Sequence, residues 1–261
     1  MKAALTDYKI AQSFWDSAKH MISVTERHPF LVSMVDGTLH VDNFQYYVIQ
    51  DALYLKDFAE CLRMLSRNVT EESPEDAKRL MEFAIGAEEA ELSLHNSFFK
   101  EWQISDAAEG ATPMPNTLLY TSNMMRVCAT RSHAEGLACL LPCFWVYMHV
   151  GNCMLKLRED LNLQQAQQGT TGGTERPRLA QFDAWIDMYA GEDFANEVHD
   201  FIRMTDVAAQ SASEEIRACM KEHFLMSVKL EHMFWDQAAN LMEWPEIGVN
   251  NNEHDNVKDE P

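Results

Sequence analysis

Asp51 stands where an apolar side chain belongs. The stretch 42–67 contains neither proline nor glycine, and Phe44, Tyr47, Val48, Leu55, Phe58, Leu62 and Leu65 recur along it at steps that share one helix face. Asp51 falls on that face, one turn after Tyr47 and one turn before Leu55, with Tyr54 beside it. Burial of a carboxylate is costly unless a partner compensates it. A carboxylate facing a core therefore answers another buried group or awaits a ligand. A second anomaly lies in Leu137–Tyr147, where Cys143 and Tyr147 are one turn apart on a helix that is apolar nearly all round. Pro142 disturbs that helix just before the thiol. The third is Glu231, the only charge on a stripe of Phe224, Ser227, Phe234, Trp235 and Ala238. Burial raises a carboxyl pKa, which prepares a general acid.

Each group has a bland reading as well. Most buried cysteines are inert packing residues, and from its own segment Cys143 reads that way first. Its neighbour Tyr147 alters the balance, because a phenol hydroxyl inside a core needs a partner. Glu231 could pair with a buried cation, but the core stripes offer none. Tyr120 and Tyr189 taken singly are packed rings with hydroxyls satisfied by backbone. Taken together, one thiol, two acids and several phenols on different helices fit covalent chemistry on a polar aromatic substrate. The expectation is that Cys143, Asp51 and Glu231 meet around one flat, heterocycle-sized hollow.

The elements that must position these groups are helical. Glycine and proline number only 10 and 8 in 261 residues, and no alternating β-branched run appears, so the fold class is all-α. Helices are predicted at about 7–27, 42–67, 74–103, 115–131, 133–161, 178–190, 192–210 and 212–242. Capping boxes or close variants are expected at Asp42, Ser73, Ser132 and Ser211, the second followed by Pro74 at the first helical position. His28-Pro29-Phe30 reads as the stop of the first helix, and Asp36-Gly37-Thr38 as a turn into the second. Residues 1–244 read as one domain, with a polar, glycine-bearing mobile loop at about 164–178 and an acidic disordered tail over 245–261.

The composition, 46% hydrophobic and 24% charged, is that of an ordinary globular chain. A formal charge of −20 argues against nucleic acid as a partner, since phosphate backbones demand a basic surface. The start, Met1 to Asp7, lacks the apolar stretch of a signal peptide, and the longest apolar run, Leu137–Met148, is too short to cross a bilayer. No membrane association is expected, and six cysteines without a CxxC pair read as reduced thiols of a cytoplasmic protein without a zinc site.

The chain resembles the TenA proteins, also called thiaminase II or aminopyrimidine aminohydrolase. The resemblance rests on HPFLVSMVDGTLHVDNFQYYVIQDALYL (28–55), EEAELSLH (88–95), YTSNMMR (120–126), LLPCFWVYMHVG (140–151), MYAGEDF (188–194) and LEHMFW (230–235), in the expected order. Cys143 places the chain with the cysteine-type branch. The resemblance implies a heme-oxygenase-like helical bundle, a homotetramer, no metal or organic cofactor, and a small-molecule aminopyrimidine or thiamin as substrate. It implies that Cys143 is the nucleophile and Glu231 the acid/base beside ring N1. Asp51 would bind the ring nitrogen and 4-amino group, and Tyr54, Tyr120, Tyr147 and Tyr189 would line the pocket. The loop at 164–178 and the acidic tail depart from the family pattern.

Two rivals stand beside that reading. Glu88, Glu91 and His95 share a helix at spacings that present metal ligands, as in a helical di-iron or redox protein. The facing set is scattered, consisting of His199, Glu231 and His232, and a solvated acidic face explains the run more simply. The other rival is an inactive relative that binds a pyrimidine, which the intact Asp, Cys and Glu set opposes. Heme finds no axial histidine on an apolar stripe, His20 being the nearest candidate.

Overall fold

The computed structural model describes residues 8–69, 71–104, 109–168 and 178–247, apart from the side chains of 90–97 and 165–168. Among the described residues there are nine helices and no strand, so the expected all-α class is observed. They are α1 Lys9–Thr25, α2 Pro29–Asp36, α3 Val41–Val69, α4 Pro74–Trp102, α5 Pro115–Thr130, α6 His133–Gln168, α7 Ala180–Tyr189, α8 Glu192–Ser211 and α9 Glu214–Ala239.

Helix α6 is the hub. It packs against α9, α8, α7, α5, α2 and α3, while α3 also lies along α4 and α5. Its apolar window is long and apolar enough to cross a membrane by length and composition, which the Leu137–Met148 run alone understated. That window is 83% buried inside the protein, so α6 is a core helix. Pro142 removes a backbone donor from the middle of α6. One turn earlier, the Cys139 carbonyl accepts a hydrogen bond from the Ser227 hydroxyl of α9 at 2.7 Å. Ser227, a polar residue on an otherwise oily stripe, thus supplies a donor beside the proline.

Caps explain most of the helix starts. At α6 the box is reciprocal: Ser132 Oγ accepts from the Glu135 N–H at 3.3 Å, and Glu135 Oε2 accepts from the Ser132 N–H at 3.0 Å. Ser73 accepts from the Asp76 N–H ahead of Pro74, and at α9 the cap is Ser213, not Ser211. Helix α3 begins one residue before the expected Asp42, and His40 Nδ1 accepts from the Asp42 N–H at 3.3 Å. Two larger expectations need correction. The segment after His28 is not only a stop: Pro29 opens the short helix α2, His28 Nδ1 accepts from the Phe30 N–H, and Gly37 closes it at φ 79°. The polar stretch from 164 is not loop at its start, because α6 continues to Gln168. The rest of that stretch from 169 to 177, and the tail from 248, lie outside the described residues.

Close approach of α6 to α7 rests on Gly151. A Cβ there would sit 2.7 Å from the Tyr189 carbonyl carbon and 2.9 Å from the Ala190 nitrogen. Backbone cannot move aside as a flexible side chain can, so the glycine sets how near Tyr189 comes to α6. Gly151→Ala is expected to lower unfolding free energy by ~1–3 kcal/mol, the usual cost of overpacking. Urea denaturation measures it, and an unchanged midpoint would mean that α7 shifts freely.

Candidate active site

Three long helices bring the anomalous residues together. Asp51 and Tyr54 come from α3, Cys143 and Tyr147 from α6, and Glu231 from α9; Tyr120 is added by α5 and Tyr189 by the end of α7. All except Cys143 are buried, Asp51 to 4% exposure and Glu231 to 1%. Cys143 is part-exposed, and what it faces is a cavity of about 360 Å³. The inner wall includes Asp51, Tyr54, Cys143, Tyr147 and Tyr189, five of the seven residues singled out from sequence.

Tyr120 and Glu231 do not line that cavity, contrary to expectation. They stand behind the sulfur because the stripe of α9 points into the packed core. Tyr120 donates to Glu231 Oε1 at 2.6 Å, and its oxygen lies 3.2 Å from Cys143 Sγ. On the other side, the Tyr54 hydroxyl lies 2.5 Å from the same sulfur. A phenol has one hydrogen. With the Tyr120 hydrogen committed to Glu231, the thiol can donate to the Tyr120 oxygen while Tyr54 donates to the thiol. Glu231 also contacts the sulfur, so the one thiol hydrogen has the Tyr120 oxygen or the Glu231 carboxyl as acceptor. Cys143, Tyr120 and Glu231 thus form a mutually bonded cluster with Tyr54 on its other side.

Burial sets the protonation of this cluster. It pushes the Glu231 carboxyl up to about 8, with the Tyr120 and Cys143 hydrogen bonds working against it and the Asp51 charge adding to it. The Cys143 thiol is pushed well above its ordinary value, first by burial and then by Glu231, while the Tyr120 and Tyr54 hydroxyls oppose the rise. Both phenols are themselves raised by burial. Near neutral pH the cluster therefore rests uncharged, with an acid proton on Glu231 and a hydrogen on sulfur. No lysine or arginine is among the groups acting on Glu231. The buried ion pair that would have made it merely structural does not appear among the described residues.

Sequence reasoning took Tyr47 only as part of the oily stripe. Its hydroxyl accepts from Trp185 Nε1 at 3.2 Å and donates to the Tyr147 hydroxyl at 3.4 Å. The Tyr147 ring lies 4.8 Å from Tyr189 and 5.1 Å from Trp235, centroid to centroid. The available signal was a phenol one turn before Asp51 on the same face. At its outer end the cavity is rimmed by Glu192, Asp193 and Glu197 of α8. Of the rival metal ligands, Glu88 pairs with Arg63 at 2.5 Å, and the side chains of Glu91 and His95 lie outside the described residues. His232 shares a hydrogen bond with Thr25 at 3.0 Å, and His20 is exposed on α1.

The described helices have a heme oxygenase-like fold. A solved domain of unknown function with a heme oxygenase-like fold from Shewanella denitrificans superposes with a TM-score of 0.64 at 14% identity, covering 92% of this chain and 94% of that one. A TenA homologue from P. horikoshii superposes with a TM-score of 0.75 at 23% identity, covering 88% and 98%. The TENA/THI-4/PQQC family model matches residues 11–241, and the chain belongs to that family. The aminopyrimidine aminohydrolase of Bacillus subtilis is 33% identical over 223 residues, 85% of this chain and 86% of its own. That of Halalkalibacterium halodurans is 30% identical over 246 residues, 94% and 98% respectively.

Tyr120 stabilises the charged form of Glu231, so Tyr120→Phe is expected to raise the carboxyl pKa beyond the value near 8. Infrared titration of the buried carboxyl band tests this. A midpoint that stays or falls would show that the phenol is not the donor holding it down.

Proposed function

We propose that the protein is an aminopyrimidine aminohydrolase that cleaves the C–N bond at the 5-methylene of 4-amino-2-methylpyrimidines through a cysteine adduct at ring C6. The observation that carries this reading is the contact of sulfur, phenol and carboxyl at a cavity whose wall holds Cys143 and Asp51. The names of the relatives above support the same substrate class. Asp51 accepts from the 4-amino group and orients the ring, and the tyrosines bracket it.

Aminopyrimidine C6 is a poor electrophile until N1 takes a proton. Glu231 gives its proton to N1, and the carboxylate left behind takes the thiol proton as sulfur bonds to C6. Glu231 is hydrogen-bonded to the sulfur and to Tyr120, so the thiol proton passes to it directly, and its own proton reaches N1 only with the ring seated against the sulfur. The adduct's 4-amino nitrogen then pushes electrons through C4 and C5, and the amine or thiazole on the methylene leaves with its bonding pair. Water adds to the exocyclic methylene, sulfur departs from C6 and takes back a proton, and the hydroxymethylpyrimidine regains aromaticity. A resting thiolate is not needed, since the substrate's own protonation makes the sulfur's proton transferable.

Cys143→Ser is expected to lose nearly all turnover, because a serine hydroxyl without a strong base is a far weaker nucleophile. Substantial turnover by that variant would end the covalent route. Glu231→Gln should keep binding and lose about 10²–10⁴-fold in kcat. Asp51→Asn should raise KM sharply, because an acceptor becomes a donor facing the substrate's own donor; unchanged affinity there would remove Asp51 from its role. In the wild type, kcat/KM should fall as pH rises through about 8, where the acid form of Glu231 is lost. A side-by-side rate comparison on thiamin and on the 5-aminomethyl pyrimidine identifies the leaving group the site prefers.

A further inference from the structure

Away from the cavity, the end of α1 meets the outer face of α6, and three different ligating side chains converge there. His149 and Cys153 lie one turn apart on α6, and Glu26 is the C-terminal cap of α1. One ligand atom of each, an imidazole nitrogen, a sulfur and a carboxylate oxygen, lies within 4.8 Å of the other two. Glu26 Oε1 is 2.6 Å and Cys153 Sγ 3.6 Å from the same atom, His149 Nε2. We propose that Glu26, His149 and Cys153 bind a divalent transition-metal ion of the zinc type.

The spacing matches such an ion. Zinc bonds of ~2.3 Å to sulfur and ~2.0 Å to nitrogen at a tetrahedral angle put the two ligand atoms about 3.5 Å apart. The observed sulfur–nitrogen separation is 3.6 Å. The carboxylate oxygen must open outward by about 0.7 Å from its present hydrogen bond to reach tetrahedral spacing. Glu26 is part-exposed, at 32%, and free to do so. A mixed sulfur, nitrogen and oxygen set suits zinc or cobalt and not the all-oxygen shells of calcium or magnesium. Trp15 packs edge-on against the His149 ring at 5.2 Å and limits its motion. With three protein ligands, a fourth position is left for water. Binding displaces the Cys153 thiol proton to solvent and leaves the remaining imidazole proton on Nδ1.

The other converging group, His28, His232 and Asp236, does not qualify. His28 Nδ1 accepts the Phe30 N–H at 3.2 Å, so in the neutral ring the proton sits on Nε2 and points at Asp236. That histidine is already used as the cap of α2.

Cobalt(II) added to the chelator-stripped full chain is the test, because thiolate-to-cobalt charge transfer absorbs in the near ultraviolet. One equivalent is expected to produce the band. Cys153→Ala should abolish it, and Cys143→Ala, which removes the cavity thiol, should retain it. Glu26→Gln should keep the band but weaken cobalt binding by at least the roughly 10–100-fold that even outer-shell losses cost. Absence of the band in the wild type, or its survival in Cys153→Ala, overturns the site. Circular dichroism checks that each variant is folded; if Cys153→Ala is not, unchanged cobalt affinity in Glu26→Gln overturns it instead.

Discussion

The structure depends on keeping an acid and a thiol uncharged inside an apolar bundle. Among the described residues neither group has a cation to pair with, and both are held by phenol hydroxyls that are themselves buried. Hydrogen bonds from neutral donors are strong enough to fix positions, yet too weak to ionise either group against the cost of burial. A lysine or arginine in the place of Tyr120 would drive Glu231 to its carboxylate and remove the proton that the proposed chemistry uses. The choice of tyrosine over a basic residue thus determines what the site can do.

The rest of the fold serves that arrangement. Helix α6 carries the sulfur through the centre of the bundle, where α5 and α9 deliver Tyr120 and Glu231 behind it and α3 delivers Asp51 and Tyr54 in front. Ser227 supplies a donor beside Pro142, and Gly151 lets the end of α7 come close enough to place Tyr189 on the cavity wall. Tyr47 and Trp185 tie Tyr147 to α3 and α7, so its ring is held by hydrogen bonds as well as by packing. Residues that touch no cavity are therefore part of its shape.

Much of this was legible in the sequence because helical periodicity turns a buried polar residue into a visible exception. Asp51, Cys143 and Glu231 each interrupt an apolar stripe, and the reciprocal box at Ser132 and Glu135 is local enough to be read from four residues. What periodicity cannot supply is depth. It places Glu231 on an inward face but not behind the sulfur, which depends on how α9 crosses α6. Helix α2 escaped notice because eight residues are too few for a period to emerge, so only His28, Pro29 and Gly37 mark it. The meeting of Glu26 with His149 and Cys153 was equally hidden. Counting cysteines finds thiol pairs, whereas this cluster joins a carboxylate from one helix to a histidine and a thiol of another, far away in the chain.

The neutral resting state of Cys143 has a consequence for the life of the protein. Peroxides and alkylating electrophiles attack thiolates far faster than thiols, and the first step of irreversible sulfur oxidation needs the ionised form. A sulfur that rests protonated offers these agents little to react with, although the cavity leaves it reachable. Resistance to oxidation thus comes from the same desolvation that keeps the Glu231 carboxyl protonated.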